Sequence, residues 1–335
     1  MNPERLRARR DARRRELARR RALAAGCLVV AVAAVIVLIA RAAGNSKRVS
    51  PPHSAAALVT GRAAAAGSGS RGGARGAATR TGIAGVGAAR RRGAPPGTAQ
   101  VPILMYHVIN PPPAGAPFPG LYVTPAEFAE QVQALARAGY HAITMDQLWA
   151  SWHEGAQLPA GKPIVLSFDN GYQSQYTQAL PVLRRMGWVG VENLQLTGLP
   201  PSQGGLSPTQ VRGLIAAGWE LDTQGFSHAD LITLDAAALH YQVAVARSTV
   251  QRLYHVAVNW FCYPSGHYDA AVLAAVRAAG YRGSTTVVPG WAQPPEDPYR
   301  LPRLRVLGGT SGQALLNEIA AIRHEPAPPA FYGTS

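Results

Sequence analysis

The sequence predicts an α/β fold, a barrel of about seven parallel strands, that follows a transmembrane helix and a flexible linker. Short apolar runs alternate with amphipathic segments roughly seven times over about the last 235 residues, which is the pattern of repeated β/α units in a parallel sheet. The preceding residues carry one long uncharged apolar run and otherwise no periodic pattern. Closure into a barrel is the economical arrangement at that size, and it places functional groups at the carboxyl ends of the strands.

The positive charge of the chain is concentrated near its N-terminus. The 335 residues carry a net charge of +15, to which residues 1–23 contribute +7 and residues 41–98 contribute +10. The rest of the chain is left with a net charge of −2. A surface that binds nucleic acid needs a basic footprint to neutralise phosphates. We therefore expect no nucleic-acid binding by the folded domain.

Residues 22–40 form an uncharged run of nineteen residues rich in Val, Leu, Ile and Ala. A helix of that length spans the apolar core of a bilayer, and the Arg-rich residues 1–21 predict a cytoplasmic tail under the positive-inside rule. We therefore expect a single-pass signal-anchor in the cell membrane, with the C-terminal domain extracytoplasmic. A cleaved secretory signal is the alternative, because Ala42, Ala43 and Gly44 offer small residues to a peptidase.

Residues 41–98 are typical of a flexible linker, because Ala, Gly, Ser and Arg dominate and no apolar face recurs. A coil of this length spans roughly 40 to 45 Å, which would hold the domain at residues 99–335 away from the lipid surface. The chain has two cysteines, and the first, Cys27, lies in the predicted membrane helix. We therefore expect no intramolecular disulfide with Cys262, so that the domain depends on its core for stability.

The first half of the domain begins with a strand and a capped helix. Val101–Tyr106 is a short apolar run typical of a buried strand. Thr124 and Glu127 have the spacing of a capping box, with Pro125 at the first helical position. Residues 164–168 predict the next strand, and a second amphipathic helix follows it.

The second half continues the alternation. Ser207 and Gln210 repeat the capping-box spacing, and this helix is expected to end at Gly218 before a strand at residues 219–222. Asp235 is placed to cap a further helix. The remaining predicted elements are a strand at residues 258–263, a helix that ends at Gly280 and a strand at residues 284–288.

Polar residues concentrate at two predicted strand ends. Residues 167–172 read Ser-Phe-Asp-Asn-Gly-Tyr, and residues 222–228 read Asp-Thr-Gln-Gly-Phe-Ser-His. The carboxyl ends of parallel strands meet at one mouth of a barrel, which is where a metal ion or substrate binds. The alternative is structural, because Asp169 and Asn170 are also suited to cap the following helix and His228 is suited to hydrogen bonding within a loop.

Five segments in order resemble the polysaccharide deacetylases, the NodB-homology or family four carbohydrate esterases. They are residues 103–107, 164–171, 218–231, 261–266 and 279–283. The second is similar to the family motif T-F-D-D-G, the third to H-[ST]-x-x-H and the fourth to F-x-Y-P-x-G. The resemblance covers residues 101 to about 307. It implies a distorted (β/α) barrel of about seven parallel strands that removes N- or O-acetyl groups from N-acetylglucosamine polymers or peptidoglycan.

The resemblance also implies roles for four residues. Asp169 matches the Asp that acts as general base in the family. A second Asp and two His bind a divalent, zinc-like metal ion there, and the matching positions hold Asn170, Gln224 and His228. Neutral amides bring neither the charge nor the softness that such a metal ion prefers. The family usually has an Arg near the fourth of these segments, where this chain has Cys262 and Tyr263, and often has a general-acid His just after the region of residues 301–304, where this chain has none.

Other residues near predicted strand ends could build a different site. The candidates are His107, Asp222 and His267. They would form a metal site only if their side chains converge within ligand distance of one ion. Tyr172 and Tyr263, with Pro264, are expected to contact substrate, because aromatic rings can stack on the faces of sugars. Packing in the core is the alternative for each aromatic residue.

Three functions fit these observations. The first is a membrane-anchored polysaccharide deacetylase that uses a divalent metal ion to hydrolyse acetamide (carbon–nitrogen, non-peptide) bonds of N-acetylhexosamine polymers or peptidoglycan. The second is a catalytically impaired family member that binds cell-envelope glycan without turnover and needs no cofactor. The third is a structural partner of an envelope complex that uses the Arg-rich tail. The expected partners are envelope glycan or peptidoglycan, and the lipid bilayer through residues 22–40.

Overall fold

The computed structural model describes residues 96–197, 199 and 204–333. A curled sheet of nine strands forms the centre of these residues. The strands are β1 (Val101–Tyr106), β2 (Tyr140–Ala142), β3 (Lys162–Asn170), β4 (Val191–Leu194), β5 (Glu220–Thr223), β6 (Trp260–Cys262), β7 (Gly283–Thr285), β8 (Trp291–Ala292) and β9 (Leu304–Arg305). Strand pairing is parallel except between β8 and β1, which confirms the predicted parallel α/β fold.

Helices connect the strands and cover the sheet. The α-helices are α1 (Pro125–Arg137), α2 (Met145–Glu154), α3 (Leu180–Arg185), α4 (Pro208–Ala216), α5 (Ala236–His240), α6 (Ala246–Tyr254), α7 (Ala270–Ala278) and α8 (Gly312–Ala321). A π-helical segment, Gln175–Ala179, precedes α3, and another, Tyr241–Val245, joins α5 to α6.

The predicted capping boxes start two of these helices. The Thr124 side chain accepts a hydrogen bond from the Glu127 backbone N–H, and the Glu127 side chain accepts one from the Thr124 backbone N–H. Ser207 and Gln210 make the same exchange at the start of α4. Each exchange satisfies N–H groups that a helix leaves without partners.

One segment near the C-terminus brings the two ends of the parallel sheet together. The strand order is β7-β6-β5-β4-β3-β1. Thr285 of β7 forms a parallel bridge with Leu301, and Leu304 of β9 pairs with Leu104 of β1. Residues 301–305 therefore lie between β7 and β1, which places Leu301 and Arg303 in the interior of the curled sheet.

The strands that lead to the candidate site are buried on both faces. Every residue of β1 is buried, as are the last seven of β3, as expected for parallel strands that helices cover. The Phe168 ring of β3 stacks on Tyr106 at 5.5 Å and on Trp219 at 4.8 Å between ring centroids. This packing holds the end of β3, and with it Asp169, in place.

Several elements differ from the sequence-based expectation, and three of them bear on the site or its supports. The sequence did not indicate β4, because Glu192 and Asn193 interrupt what would otherwise be a short apolar run. It also did not indicate α2, although Thr144 and Gln147 form a third capping box at its start. The predicted strand at residues 284–288 is shorter and shifted, to Gly283–Thr285.

Among the described residues, no helix is long and apolar enough to cross a membrane. The predicted membrane helix at residues 22–40 lies outside the described residues, and so do residues 41–95 of the predicted linker.

Candidate functional site

A cavity of about 390 Å³ opens at the carboxyl ends of β1, β3 and β5. The residues with predicted roles that line it are Asp169, Asn170, Gln224, His228, His107, Tyr172 and Tyr263. The structure thus brings together all four positions that the family resemblance singles out, and His107 with them.

Asp169 forms a fully buried ion pair with Arg303. The Arg303 guanidinium donates from Nη1 to Asp169 Oδ1 at 2.7 Å and from Nη2 to Oδ2 at 2.9 Å. The side chains are 0% and 1% exposed. Bidentate pairing of this kind restricts both position and orientation of the carboxylate. Arg303 therefore supplies a cationic partner for Asp169, although the segment around Cys262 and Tyr263 lacks the Arg that the family usually has there.

Further donors complete the shell around Asp169. Asn193 Nδ2 donates to Oδ1 at 2.8 Å, and the Cys262 thiol donates to Oδ2 at 3.4 Å. A carboxylate has about four acceptor positions. The hydrogen bonds from Asn193 and Cys262, together with the two from Arg303, occupy all four. Burial acts to raise the pKa of Asp169, but the charge and hydrogen bonds of Arg303 dominate and lower it to about 2. Asp169 is therefore an ionised, fully hydrogen-bonded carboxylate.

Asn170 and Gln224 are engaged in hydrogen bonds. Asn170 has a left-handed backbone, with φ of 80°, which Asn tolerates better than most residues. Its backbone N–H donates to Gln224 Oε1 at 2.9 Å, and its side-chain Nδ2 donates to Gln195 Oε1 at 2.9 Å. The two amides that replace family metal ligands thus belong to one polar network at the end of β3.

The residues at these positions do not fit a zinc-like metal ion. They offer one imidazole, His228, and two neutral carboxamides, and the oxygen of Gln224 already accepts a hydrogen bond from Asn170. Within the described part of the chain, no group of three or more His, Cys, Asp or Glu side chains could hold a metal ion. Since zinc-like ions prefer imidazole, thiolate and carboxylate ligands, this donor set provides neither the charge nor the number of ligands required.

His107 contributes a neutral imidazole to the cavity wall. It is 9% exposed, and its buried Nδ1 has no hydrogen-bond partner among the described residues. Burial lowers the pKa of His107 to about 4. The nearby charge of Asp169 acts to raise the pKa, but its effect is smaller than that of burial. The imidazole is therefore uncharged at neutral pH.

Asp222 does not join His107 at the cavity. Asp222 is fully buried, and its Oδ1 accepts hydrogen bonds from the backbone N–H groups of Asn259 at 3.0 Å and Trp260 at 2.9 Å. Burial raises the pKa values of Asp222 and of neighbouring Glu220. The Asp222 side chain thus anchors the start of β6 and does not line the cavity.

Two further predicted residues also stand apart from the cavity wall. His267 Nδ1 lies 3.0 Å from Asp230 Oδ1 in a partly exposed pair. Pro264 is buried beside Tyr263 without lining the cavity. The three residues of the alternative metal site, His107, Asp222 and His267, are therefore not brought together.

Sequence reasoning missed Arg303, Asn193 and Gln195. Arg303 lies 134 residues from Asp169 in the chain. Asn193 belongs to β4, which was not predicted, and Gln195 follows that strand. The signal available for Arg303 was its place in the otherwise apolar run at residues 301–306, which holds two cations, Arg303 and Arg305, since an Arg is rarely buried unless it is paired.

Comparison with known proteins agrees on one family. Residues 157–284 match the family model described as polysaccharide deacetylase. The chain is 27% identical over 216 residues to "Putative polysaccharide deacetylase YxkH" of Bacillus subtilis (strain 168), which covers 64% of this chain and 75% of that protein. It is 39% identical over 62 residues to "Poly-beta-1,6-N-acetyl-D-glucosamine N-deacetylase" of Escherichia coli (strain K12), which covers 18% of this chain and 9% of that protein.

The same fold occurs in a solved structure, the Streptococcus pyogenes deacetylase PplD in complex with acetate. The TM-score is 0.61 at 24% sequence identity, and the match covers 67% of this chain and 99% of that one. At this identity the likeness establishes the shared fold.

Proposed function

Because the chain belongs to the polysaccharide deacetylase family, we propose that its cavity binds N-acetylhexosamine units of a cell-envelope polysaccharide and holds them without hydrolysing the acetamide bond. The family supplies the class of ligand. The chemistry of the cavity distinguishes binding from hydrolysis.

The hydrogen bonding of Asp169 is the observation that carries this proposal. A general base has to accept a proton from a water molecule within hydrogen-bond reach. The contacts from Arg303, Asn193 and Cys262 occupy the acceptor positions of Asp169, and its pKa is lowered to about 2. Asp169 is thus a poor proton acceptor at neutral pH, and we assign it a structural role in shaping the cavity.

The wall of the cavity suits a sugar. Phe118 lines it and is 68% exposed, so its ring is available to stack on a pyranose face. Tyr172 also lines it, and burial raises the pKa of Tyr172 to about 12, so that the phenol remains a neutral hydroxyl. Carboxamides, hydroxyls and aromatic faces together match an uncharged, hydroxyl-rich ligand.

The relatives support N-acetylhexosamine polymers as the ligand class. The Escherichia coli relative is named for poly-β-1,6-N-acetyl-D-glucosamine, and the Bacillus subtilis relative for a polysaccharide. The match to the former covers 9% of that protein, so it supports the sugar and not the linkage.

Binding and acetate release, measured on the same sample, test the proposal. The purified full-length chain is titrated with chitohexaose, the hexamer of N-acetylglucosamine, by calorimetry, and acetate is assayed after long incubation. We expect saturable binding and no acetate above the level of an Asp169→Asn variant. Acetate release that Asp169→Asn abolishes would overturn the non-hydrolytic proposal, and absence of binding to chitohexaose or to peptidoglycan fragments would overturn the ligand class.

Hydrolysis of the acetamide bond is the second candidate function. It is favoured by the fact that Asp169, His107 and His228 line one cavity. It predicts acetate release that is lost both in Asp169→Asn and in His107→Gln. If zinc-like metal ions were required, a chelator would stop that release and zinc would restore it.

We further propose that the domain is tethered outside the cytoplasmic membrane. The Arg block at residues 1–21 and the uncharged run at residues 22–40 support this location. Protease added to intact, wall-stripped cells is expected to digest the domain. Digestion that occurs only after lysis would contradict the proposed topology.

A further inference from the structure

A chain of hydrogen bonds determines how each carboxamide at the end of β3 is oriented. Gln195 donates from Nε2 to the backbone carbonyl of Thr197, which can only accept, so Oε1 is the free end of Gln195. That oxygen accepts from Asn170 Nδ2. The backbone N–H of Asn170 can only donate, and it donates to Gln224 Oε1. The hydrogen-bond partners therefore assign the O and N ends of all three amides.

This orientation leaves one acceptor and one donor group for a ligand. Asn170 Oδ1 and Gln224 Nε2 have no hydrogen-bond partner among the described residues, and both residues line the cavity. They are 5% and 2% exposed, so these atoms are largely withdrawn from bulk water. A ligand in the cavity can therefore satisfy both atoms with hydrogen bonds.

The two carboxamides that carry the free atoms are neighbours in the cavity wall. Gln224 Oε1 lies 2.9 Å from the Asn170 backbone nitrogen, and both residues line the cavity. A trans secondary amide presents its N–H and its C=O on opposite edges. One wall of the cavity can therefore contact only one of them, and an adjacent donor and acceptor suit a carbonyl oxygen together with a neighbouring hydroxyl.

We infer that the Gln224 and Asn170 carboxamides form a metal-independent subsite that recognises the acetamido carbonyl oxygen and an adjacent hydroxyl of an N-acetylhexosamine. Gln224 Nε2 donates to the carbonyl oxygen, and Asn170 Oδ1 accepts from the hydroxyl. This inference rests on the proposed function and specifies how its ligand is selected. A deacetylated sugar carries an amino group in place of the acetamido group, so it offers no carbonyl oxygen to the free N–H donor of Gln224.

The test compares two ligands and three single-residue variants of the full-length chain at pH 8 in the presence of a chelator. Gln224→Glu keeps an oxygen for the Asn170 N–H but replaces the free donor by an acceptor. Asn170→Gly removes the free acceptor and is compatible with the positive φ. Gln242→Glu is the matched control, because Gln242 is buried near the same mouth, accepts from the backbone N–H groups of Phe226 and Ser227, and does not line the cavity.

We expect wild type and Gln242→Glu to bind chitohexaose equally and to prefer it to the fully deacetylated glucosamine hexamer. Each of Gln224→Glu and Asn170→Gly is expected to weaken chitohexaose binding about tenfold, the effect of one lost hydrogen bond to a buried group. Unchanged binding in both folded variants, equal binding of the two hexamers, or loss of binding with chelator would overturn the subsite. Absence of chitohexaose binding by wild type would instead overturn the proposed function.

Discussion

The Asp169 carboxylate and the Arg303 guanidinium form a bidentate ion pair, at 2.7 and 2.9 Å, from which solvent is excluded. Arg303 reaches Asp169 because residues 301–305 lie between β7 and β1. The same guanidinium donates from Nη1 to Ser167 Oγ at 3.0 Å and from Nε to the Thr286 carbonyl at 2.8 Å. One side chain therefore joins β3, the residue that follows β7 and the segment at residues 301–305.

Removal of Arg303 is expected to destabilise the domain strongly. Arg303→Met leaves the Asp169 carboxylate buried without its charge partner, and breaking a buried pair in this way costs about 3 to 5 kcal/mol. Urea denaturation measures this loss. Arg300→Met is the control, because Arg300 pairs with Asp297 at a partly exposed site, where pairs contribute about 1 kcal/mol or less. Equal losses for the two variants would contradict the structural role of Arg303.

Asp222 is expected to make the domain less stable at alkaline pH. Burial raises the pKa values of Asp222 and Glu220, so the folded state binds more protons than the unfolded state above the usual carboxyl range. The stabilisation is complete below that range and is lost as pH rises through the raised values. Asp222→Asn should therefore raise the free energy of unfolding at pH 8 relative to wild type. The expected gain is about 1.4 kcal/mol or more, the energy that corresponds to a pKa shift of one unit. The gain should be smaller at pH 4. Thermal unfolding at both pH values measures the difference, and a gain that is greater at pH 4 would contradict this account.

Phe118 is expected to contribute to glycan binding and not to folding. Its ring is 68% exposed at the cavity, so Phe118→Ala should leave the thermal unfolding midpoint unchanged and weaken chitohexaose binding about 5- to 10-fold, which corresponds to roughly 1 to 1.4 kcal/mol for an aromatic contact. Phe331→Ala is the control, since Phe331 is 59% exposed and does not line the cavity. The same loss of affinity in both variants would indicate a nonspecific effect.

Restoration of the family's ligand set is expected to create a metal site. The double change Asn170→Asp with Gln224→His adds a carboxylate and an imidazole beside His228. We expect zinc affinity to rise by at least about a hundredfold, because even residues that only support metal ligands are worth about 10- to 100-fold each. Metal analysis and zinc titration measure the change. Stoichiometric, chelator-sensitive metal in the wild-type protein would contradict the assigned role of the two carboxamides.

Local patterns allowed much of the fold to be predicted. The spacing of Thr124 and Glu127, and of Ser207 and Gln210, predicted helix starts because a capping box depends only on neighbouring residues. By contrast, β4 was not predicted, because its polar residues Glu192 and Asn193 interrupt the apolar pattern. These residues are buried only because other strands flank β4, and local sequence does not show that. Arg303 could not be assigned to Asp169 because sheet closure, and not sequence proximity, brings them together.

The same distinction applies to the site. The family motifs correctly indicated that Asp169, Asn170, Gln224 and His228 share one cavity. They could not indicate that Asp222 binds the backbone N–H groups of Asn259 and Trp260 instead of lining the cavity, because those contacts depend on how β5 and β6 pair. The loss of charge at Asn170 and Gln224 was visible in the sequence, but the hydrogen bonds that orient the two amides were not.

The most direct test of the account is the chemical state of the bound glycan. The full-length chain is incubated with chitohexaose and chelator, the complex is isolated, and the released oligosaccharide is analysed by mass spectrometry. The account predicts that the hexamer is recovered bound and fully acetylated after prolonged incubation. Recovery of oligomers that have lost acetyl groups, in an amount that falls to background with Asp169→Asn, would contradict it.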